Sequence, residues 1–297
     1  MSMRTSVGAL ALSAALSSSY AHAALTIEQM GANVTAQTLV NSLLATNSGL
    51  QISNIQYVGN QFQAGAFAGG TSAHLGVNAG AVLSTGAVVN LPLTAGADGS
   101  DVNFGKPGDT LLTALVKART VDAVGLRFDF VPTGNKIQLN YVFGSSEYND
   151  WIGTVYNDTF AAFVNGVNMA LIPGTSDPLR IGTLNCGKSS SPSHVAPGAG
   201  PNCGQFVDNW SLSGVVGENV GVNLGGFSQM FSLSASVNPN VTNSMYLVLA
   251  DVADGTHDSA IFLQAGSLAA VPEPGTLQFL GAAAAMLLVG WRRRSAH

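Results

Sequence analysis

The sequence predicts a mainly β protein: an antiparallel, jelly-roll-like β-sandwich with one or two short helices packed on it. Only 9% of its 297 residues are charged while 46% are hydrophobic, so the fold must rest on apolar burial and backbone hydrogen bonds. Several segments alternate apolar and polar residues with the period of a strand. The 35 glycines supply turns, and many short strands with Gly-rich connections are typical of a sandwich.

Charge and repeat content exclude several other classes. The formal net charge is -5, which argues against a nucleic-acid partner because phosphate binding needs clustered Lys and Arg. The composition excludes a coiled coil, a charged disordered chain and a collagen-like repeat. The sequence shows no repeat of fixed period, so a solenoid or propeller is not expected.

Residues 1–23 have the organisation of a secretory signal peptide. Arg4 precedes an apolar run from Val7 to Leu16, and Ala21-His22-Ala23 forms a small-x-small cleavage pattern. A buried core helix is the alternative, but serines at 17–19 interrupt the apolar run. We expect signal peptidase to cleave after Ala23 and the mature protein to leave the cytoplasm.

Residues 24–270 are predicted to form one domain, because no long linker divides them. Two short helices are expected, one capped by Thr35 and one by Asp109, since leucines and valines follow each at helical spacing. Their apolar residues are Leu39, Val40, Leu43 and Leu44 in the first helix, and Leu111, Leu112, Leu115 and Val116 in the second. We expect both helices to pack on a sheet.

Strand patterns dominate the rest of this domain. Two runs alternate apolar with polar residues, at 126–130 and 137–143, and the turn-forming residues 132–135 between them predict an antiparallel hairpin. A second hairpin is predicted at 163–168, because its central Asn-Gly suits the positive φ angles of a two-residue turn. Three late strands are predicted, at residues 230–236, 245–251 and 260–264.

Five segments, in order along the mature chain, resemble those of the choice-of-anchor L family. They are residues 80–86 (GAVLSTG), 128–132 (FDFVP), 141–149 (YVFGSSEYN), 157–160 (NDTF) and 258–263 (DSAIFL). The resemblance implies a shared extracellular domain that carries varied surface-attachment tails and has no established catalytic activity. The sequence departs from the family at Ser146, where a second Glu is more usual.

The C-terminus carries an apolar segment followed by positive charge. Residues 277–291 contain Gln278 as their only polar member, and Arg292, Arg293 and Arg294 follow. Fifteen helical residues span roughly 22 Å, somewhat less than the ~30 Å hydrocarbon core. The sequence predicts a transmembrane helix at 277–291 with its arginine end in the cytoplasm. A plain membrane anchor is one interpretation of this segment.

The order of Pro272-Glu273-Pro274, a short apolar helix and terminal arginines resembles the PEP-CTERM sorting signal of Gram-negative bacteria, over residues 271–297. The resemblance implies an inner-membrane intermediate that an exosortase cleaves near Pro272 to Pro274. It also implies transfer of the protein to the cell surface or extracellular matrix, usually in association with exopolysaccharide. Residues 24–274 contain seven basic residues against sixteen acids, a net charge of -9.

Cys186 and Cys203 are the only cysteines. Export places them in an oxidising compartment, where a disulfide is favoured. The bond would close the Ser-, Pro- and Gly-rich loop 187–202 and stabilise the fold by roughly 3 kcal/mol.

The carboxylates are few and grouped in loops beside predicted strands, which suits Ca²⁺ because this ion prefers hard oxygen ligands. The candidate calcium ligands are Glu147, Asp158, Asp251, Asp254 and Asp258. The spacing from 251 to 258 does not match an EF-hand, so a site must be assembled from separate loops. The alternative is that these acids cap turns through bonds to the backbone.

Sequence alone leaves three functional interpretations in order of preference. The first is a non-enzymatic structural or adhesive protein with no cofactor beyond a possible Ca²⁺. The second is a calcium-assisted carbohydrate-binding module, in which Tyr148 and Trp151 offer rings for stacking on sugars. The third is a glycoside-cleaving enzyme that uses Glu147 with Asp158 or Asp258, but no known catalytic pattern surrounds these residues.

Overall fold

The computed structural model describes residues 25–92, 101–188, 194–209 and 220–271. These residues form two antiparallel sheets and two α-helices, so the predicted mainly β fold is confirmed. The signal peptide at 1–23 and the apolar helix at 277–291 lie outside the described residues. So do the sorting residues Pro272, Glu273, Pro274, Arg292, Arg293 and Arg294.

Short strands make up most of the ordered structure. In chain order they are β1 (Thr26–Gln29), β2 (Leu50–Val58), β3 (Ala64–Ala68), β4 (Gly80–Ser84), β5 (Thr120–Pro132), β6 (Lys136–Ser145), β7 (Thr159–Val164), β8 (Val167–Asn168), β9 (Phe206–Asp208), β10 (Gly226–Ser228), β11 (Phe231–Ser236), β12 (Asn243–Val252), β13 (Ser259–Gln264) and β14 (Ala269–Val271). The helices are α1 (Ala36–Leu43) and α2 (Thr110–Val116), and short 3₁₀ turns lie at Gln61–Gln63, Val88–Asn90, Ile181–Thr183 and Cys203–Gln205.

The strands divide into a nine-stranded and a five-stranded sheet. The larger sheet has the order β1-β3-β4-β13-β6-β10-β9, and β11 and β14 also pair with β6. The smaller sheet has the order β2-β5-β12-β7-β8. The three predicted late strands correspond to β11, β12 and β13, which confirms them.

The main core lies between the two sheets. Alternate residues of the long strands point into it, as the period of a strand requires. They include Leu126, Phe128 and Phe130 of β5, Leu139, Tyr141 and Phe143 of β6, and Leu247 and Leu249 of β12. A core of fully buried aromatic and aliphatic side chains is the main source of stability in a chain with so few charges.

Both outer faces of the sandwich are also partly covered. Phe262 of β13 belongs to a second buried cluster, together with Val222 and Leu224. Val248 of β12 and Leu112 of α2 belong to a third. Strands that are buried on both faces have continuous apolar runs, which explains the composition of β12 and β13.

Both predicted helices form, with the predicted caps. The Thr35 side chain accepts a hydrogen bond from the Thr38 amide, and Asp109 caps the amides of Leu111 and Leu112. Helix α1 buries Leu39, Val40 and Leu43 between β2 and β4. Helix α2 buries Leu112, but Leu111 is 42% exposed, because a helix of two turns presents only a narrow face to the sheet.

One predicted hairpin is correct and the other is wrong. At 163–168, β7 pairs with β8 through a turn in which Asn165 and Gly166 both have positive φ. The strands β5 and β6 also exist, but they belong to different sheets. The turn between them crosses the core, so their apolar faces oppose each other. Alternation is the same whether two strands pair edge to edge or face each other across a core.

Candidate functional site

Strands from both sheets begin or end at one end of the sandwich. In the smaller sheet, β12 ends at Val252 opposite Thr120, the first residue of β5, and β7 begins at Thr159. In the larger sheet, Ser259 at the start of β13 pairs with Ser145 at the end of β6. The loops that leave these strands therefore meet in one place.

These loops bring together the five carboxylates that the sequence singles out. We call Glu147, Asp158, Asp251, Asp254 and Asp258 the acidic cluster. Glu147 interacts electrostatically with Asp158 and with Asp254. Asp251 interacts with both Asp158 and Asp258, so the five acids form one connected group. The predicted site had to be assembled from separate loops, and this requires that the loops converge.

Asp158 holds the base of the loop between β12 and β13. Its Oδ1 accepts a hydrogen bond from the Val252 amide at 3.0 Å, and its Oδ2 accepts one from the Ser259 hydroxyl at 2.6 Å. Because Val252 ends β12 and Ser259 begins β13, one carboxylate fixes both ends of the loop. These bonds suit an ionised carboxylate that is fully buried.

Asp258 is also fully buried, and it lies against the glycine of the segment after β4. A Cβ on Gly86 would lie 1.7 Å from Asp258 Oδ2, so only glycine fits beside this carboxylate. The same oxygen accepts a hydrogen bond from the Val102 amide at 3.0 Å. Asp258 thus ties the segment at 102 to the end of the larger sheet.

Glu147 and Asp251 are buried with fewer hydrogen bonds than Asp158, and the hydrogen bond from the Asp158 backbone favours the ionised form of Glu147. Each is 1% exposed, and neither Glu147 Oε2 nor either carboxylate oxygen of Asp251 has a partner of normal distance and angle. The side chains of Asp158 and Asp251 interact, which lowers the pKa of Asp158 and raises that of Asp251, and the Thr85 hydroxyl favours the ionised form of Asp251. Buried polar groups normally have hydrogen bonds, so these oxygens require an explanation.

Burial raises the pKa of three members of the acidic cluster, because removal from water disfavours the charged form. It raises the pKa of Asp158 to about 7, although hydrogen bonds from Ser259 and Val252 act in the opposite direction. The pKa values of Glu147 and Asp251 lie well above their usual range, with desolvation as the largest cause and the charge of Asp158 as the next.

Basic side chains do not neutralise the acidic cluster through the ion pairs seen in the structure. Between described residues there is one ion pair, which joins Lys188 to Asp150. In the same part of the chain, no group of three or more His, Cys, Asp or Glu side chains is arranged to hold a metal ion as it stands. The acids of the cluster interact electrostatically with one another, although they do not form such a group.

An aromatic surface borders the acidic cluster. The centroid of the half-buried Trp151 ring lies 5.3 Å from that of Tyr156 and 5.6 Å from that of His257. The backbone amide of Trp151 donates a hydrogen bond to the Glu147 carbonyl at 3.0 Å. Tyr148 is fully buried and packs on Phe206. Of the two residues predicted to stack on sugars, only Trp151 has an accessible ring; Tyr148 belongs to the core.

The predicted disulfide between Cys186 and Cys203 is present, with a Cα–Cα distance of 4.4 Å. Cys186 is buried among the residues of the main core. The bond therefore joins the Ser-, Pro- and Gly-rich segment to the body of the domain.

One buried acid of this region was not predicted. Asp122, in β5, is fully buried and accepts hydrogen bonds from the amides of Phe104 and Lys106. It lies next to the cluster, since a Cβ on Gly255 would be 2.9 Å from its Oδ2. The signal in the sequence was an acid among the small and apolar residues at the start of β5.

A β-sandwich followed by a C-terminal sorting tail defines a class of exported domain protein. The model of the Choice-of-anchor L domain matches residues 26–269, which is most of the chain, so the chain belongs to that family. The PEP-CTERM protein-sorting motif matches residues 270–294. Both resemblances seen in the sequence are thereby confirmed.

It follows that this is an exported protein that an exosortase recognises during membrane-associated sorting in a Gram-negative bacterium. Comparisons with curated proteins and with solved structures each found no match. None of the helices in the described ranges has both the length and the apolar character needed to cross a membrane.

Proposed function

We propose that the mature protein resides at the cell surface or in the extracellular matrix, where it is a non-enzymatic structural or adhesive component associated with exopolysaccharide. The observation that carries this proposal is the combination, in one chain, of a Choice-of-anchor L domain at 26–269 and a sorting motif at 270–294. Contact with the membrane is through residues 277–291 and ends when exosortase removes the tail near Pro272 to Pro274.

The build of the domain suits a structural role outside the cell. Both sheets are buried on their inner faces and partly covered on their outer faces. The Cys186–Cys203 bond closes a long loop in a compartment where disulfides persist. A domain of this kind supports attachment without needing a catalytic cleft.

The burial of the acids supports a non-enzymatic role. A glycosidase needs two carboxyl groups that flank the scissile bond and are open to a sugar chain. Glu147 is 1% exposed and Asp158 is 0% exposed, and the second of these already accepts two hydrogen bonds from the domain itself. Neither side chain is free to approach a glycosidic oxygen in this arrangement.

A calcium-assisted carbohydrate-binding module is the second candidate function. The observation that favours it is the position of Trp151, whose half-buried ring forms a surface with Tyr156 and His257 beside the acidic cluster. Aromatic rings provide large apolar area with polar edges, which is the chemistry that stacks on sugar rings.

The proposed location is tested by removing the tail. Cells that produce the full chain are compared with cells that produce a chain ending at Ala270, and the protein is measured in the membrane, matrix and medium fractions. We expect the full chain in the surface and matrix fractions and the truncated chain in the medium. Equal retention of both chains contradicts the proposal.

A glycan array, probed with the purified protein in the presence and absence of Ca²⁺, distinguishes the two candidate functions. The second candidate predicts sugar binding that requires Ca²⁺ and is lost in Trp151→Ala, while Phe62→Ala, an exposed aromatic elsewhere, retains it. Release of reducing ends from the cell's own polysaccharide would instead reveal a glycoside-cleaving enzyme and contradict the non-enzymatic role.

A further inference from the structure

The acidic cluster contains buried carboxyl oxygens that its hydrogen bonds do not satisfy. Capping of turns explains Asp158, whose two oxygens accept bonds from Val252 and Ser259. It does not explain Asp251, which is 1% exposed and has no hydrogen bond of normal geometry at either oxygen. Glu147 Oε2 is also buried without a hydrogen-bond partner of normal geometry. The capping interpretation therefore accounts for only part of the cluster.

The loop that carries Glu147 also contains two buried neutral oxygens. Ser146 Oγ and Asn149 Oδ1 are buried and have no hydrogen-bond partner. Both come from the loop that carries Glu147, immediately after β6. Carboxyl, hydroxyl and amide oxygens without donors to satisfy them suit a cation, because a cation would compensate the charge of each buried carboxylate.

The chemistry of the donors selects the kind of cation. The cluster offers carboxylate, hydroxyl and amide oxygens from separate loops, whereas zinc sites use mainly Cys and His. Ca²⁺ accepts six to eight oxygens in flexible geometry, while Mg²⁺ demands a near-ideal octahedron. Loops anchored at several strand ends suit the more tolerant ion.

We propose that Glu147, Asp158, Asp251 and Asp258 bind one Ca²⁺ ion, which closes this end of the sandwich by joining β6, β7, β12 and β13. Because the side chains are not arranged to hold a metal as they stand, binding draws them together. Asp254 is half-buried and is the most accessible acid of the group, so it faces the side from which the ion enters. This proposal is independent of where the exported protein finally resides.

Thermal unfolding of the full chain tests the proposal. The chain is melted with a chelator, then with Ca²⁺ or Mg²⁺ at about 10 mM, which is tenfold above the weak end of the range for extracellular calcium sites. We expect Ca²⁺ to raise the Tm by about 3–10 °C and Mg²⁺ to raise it less. An unchanged Tm with Ca²⁺ overturns the proposal, and an equal effect of Mg²⁺ overturns the choice of calcium.

Substitution locates the ion. Asp251→Asn keeps the shape of the side chain but removes its charge, so we expect loss of the calcium-induced shift and a Tm in chelator at or above that of the wild type. Asp177→Asn, at an exposed acid, is the matched control and keeps the full shift. A full shift in Asp251→Asn overturns the assignment.

A direct binding measurement keeps the test independent of variant folding. Isothermal titration of the unmodified chain with Ca²⁺ should show one ion bound per chain. Glu147→Gln should bind Ca²⁺ at least tenfold more weakly. Absence of measurable binding by the unmodified chain overturns the proposal, whatever the variants do.

Discussion

The Asp158 carboxylate accepts a 2.6 Å hydrogen bond from the Ser259 hydroxyl, and this bond joins the two sheets of the sandwich. Asp158 immediately precedes β7 in the smaller sheet, and Ser259 is the first residue of β13 in the larger one. Both side chains are fully buried. The acidic cluster therefore lies where a buried hydrogen bond joins the two sheets.

Removal of this hydrogen bond should destabilise the domain. In Ser259→Ala the buried Asp158 carboxylate loses its 2.6 Å hydrogen bond and keeps the one from the Val252 amide. We expect a loss of about 1–3 kcal/mol in the free energy of unfolding, measured by urea denaturation, because the unsatisfied group stays buried. Ser234→Ala, at an exposed serine of β11, should change it by less than about 0.5 kcal/mol. Equal stabilities for the two variants would show that the bond contributes nothing.

The glycine beside Asp258 should not tolerate a side chain. In Gly86→Ala the new methyl group would be 1.7 Å from Asp258 Oδ2 and 2.2 Å from its Cγ, so the carboxylate or the strand must move. We expect a loss of about 1–3 kcal/mol or more in the free energy of unfolding. Gly204→Ala is the control, because its new Cβ meets nothing within 4 Å. A wild-type stability for Gly86→Ala would refute the close packing.

The disulfide should stabilise the exported domain. Replacement of both Cys186 and Cys203 by Ala removes a cross-link between residues 17 positions apart. A loop of this length predicts a loss of about 3 kcal/mol in the free energy of unfolding, measured in urea under oxidising conditions. Reduction of the wild-type protein should have a similar effect. Unchanged stability after both treatments would contradict a structural role for the bond.

Local sequence signals predicted much of the fold but not how the strands are arranged. The late strands and both caps were predicted because each depends on a few neighbouring residues. Strand β2 was missed because Asn54, with a φ of 52°, and a register shift between Ser53 and Gln56 break its alternation. The pairing of β5 with β6 was wrong because alternation cannot distinguish partners in one sheet from strands that face each other across a core.

The sequence predicted which acids belong to the candidate site, but it did not predict their hydrogen bonds or the burial of the neighbouring Tyr148. The acids of the cluster were conspicuous because charged residues are rare in this chain. Their separation in sequence concealed that Asp158 already has two donors while Asp251 has none of normal geometry. Tyr148 was assigned to a sugar-binding face, yet it is buried, because residues that flank a loop alternate between surface and core in a way that sequence does not reveal.

The measurement that tests the central claim most directly is mass spectrometry of the mature protein recovered from the surface and matrix fractions. Export and exosortase sorting predict a chain that begins at Ala24 and ends near Pro272 to Pro274, without residues 277–294. A surface or matrix protein that still carries Arg292, Arg293 and Arg294 would contradict the account.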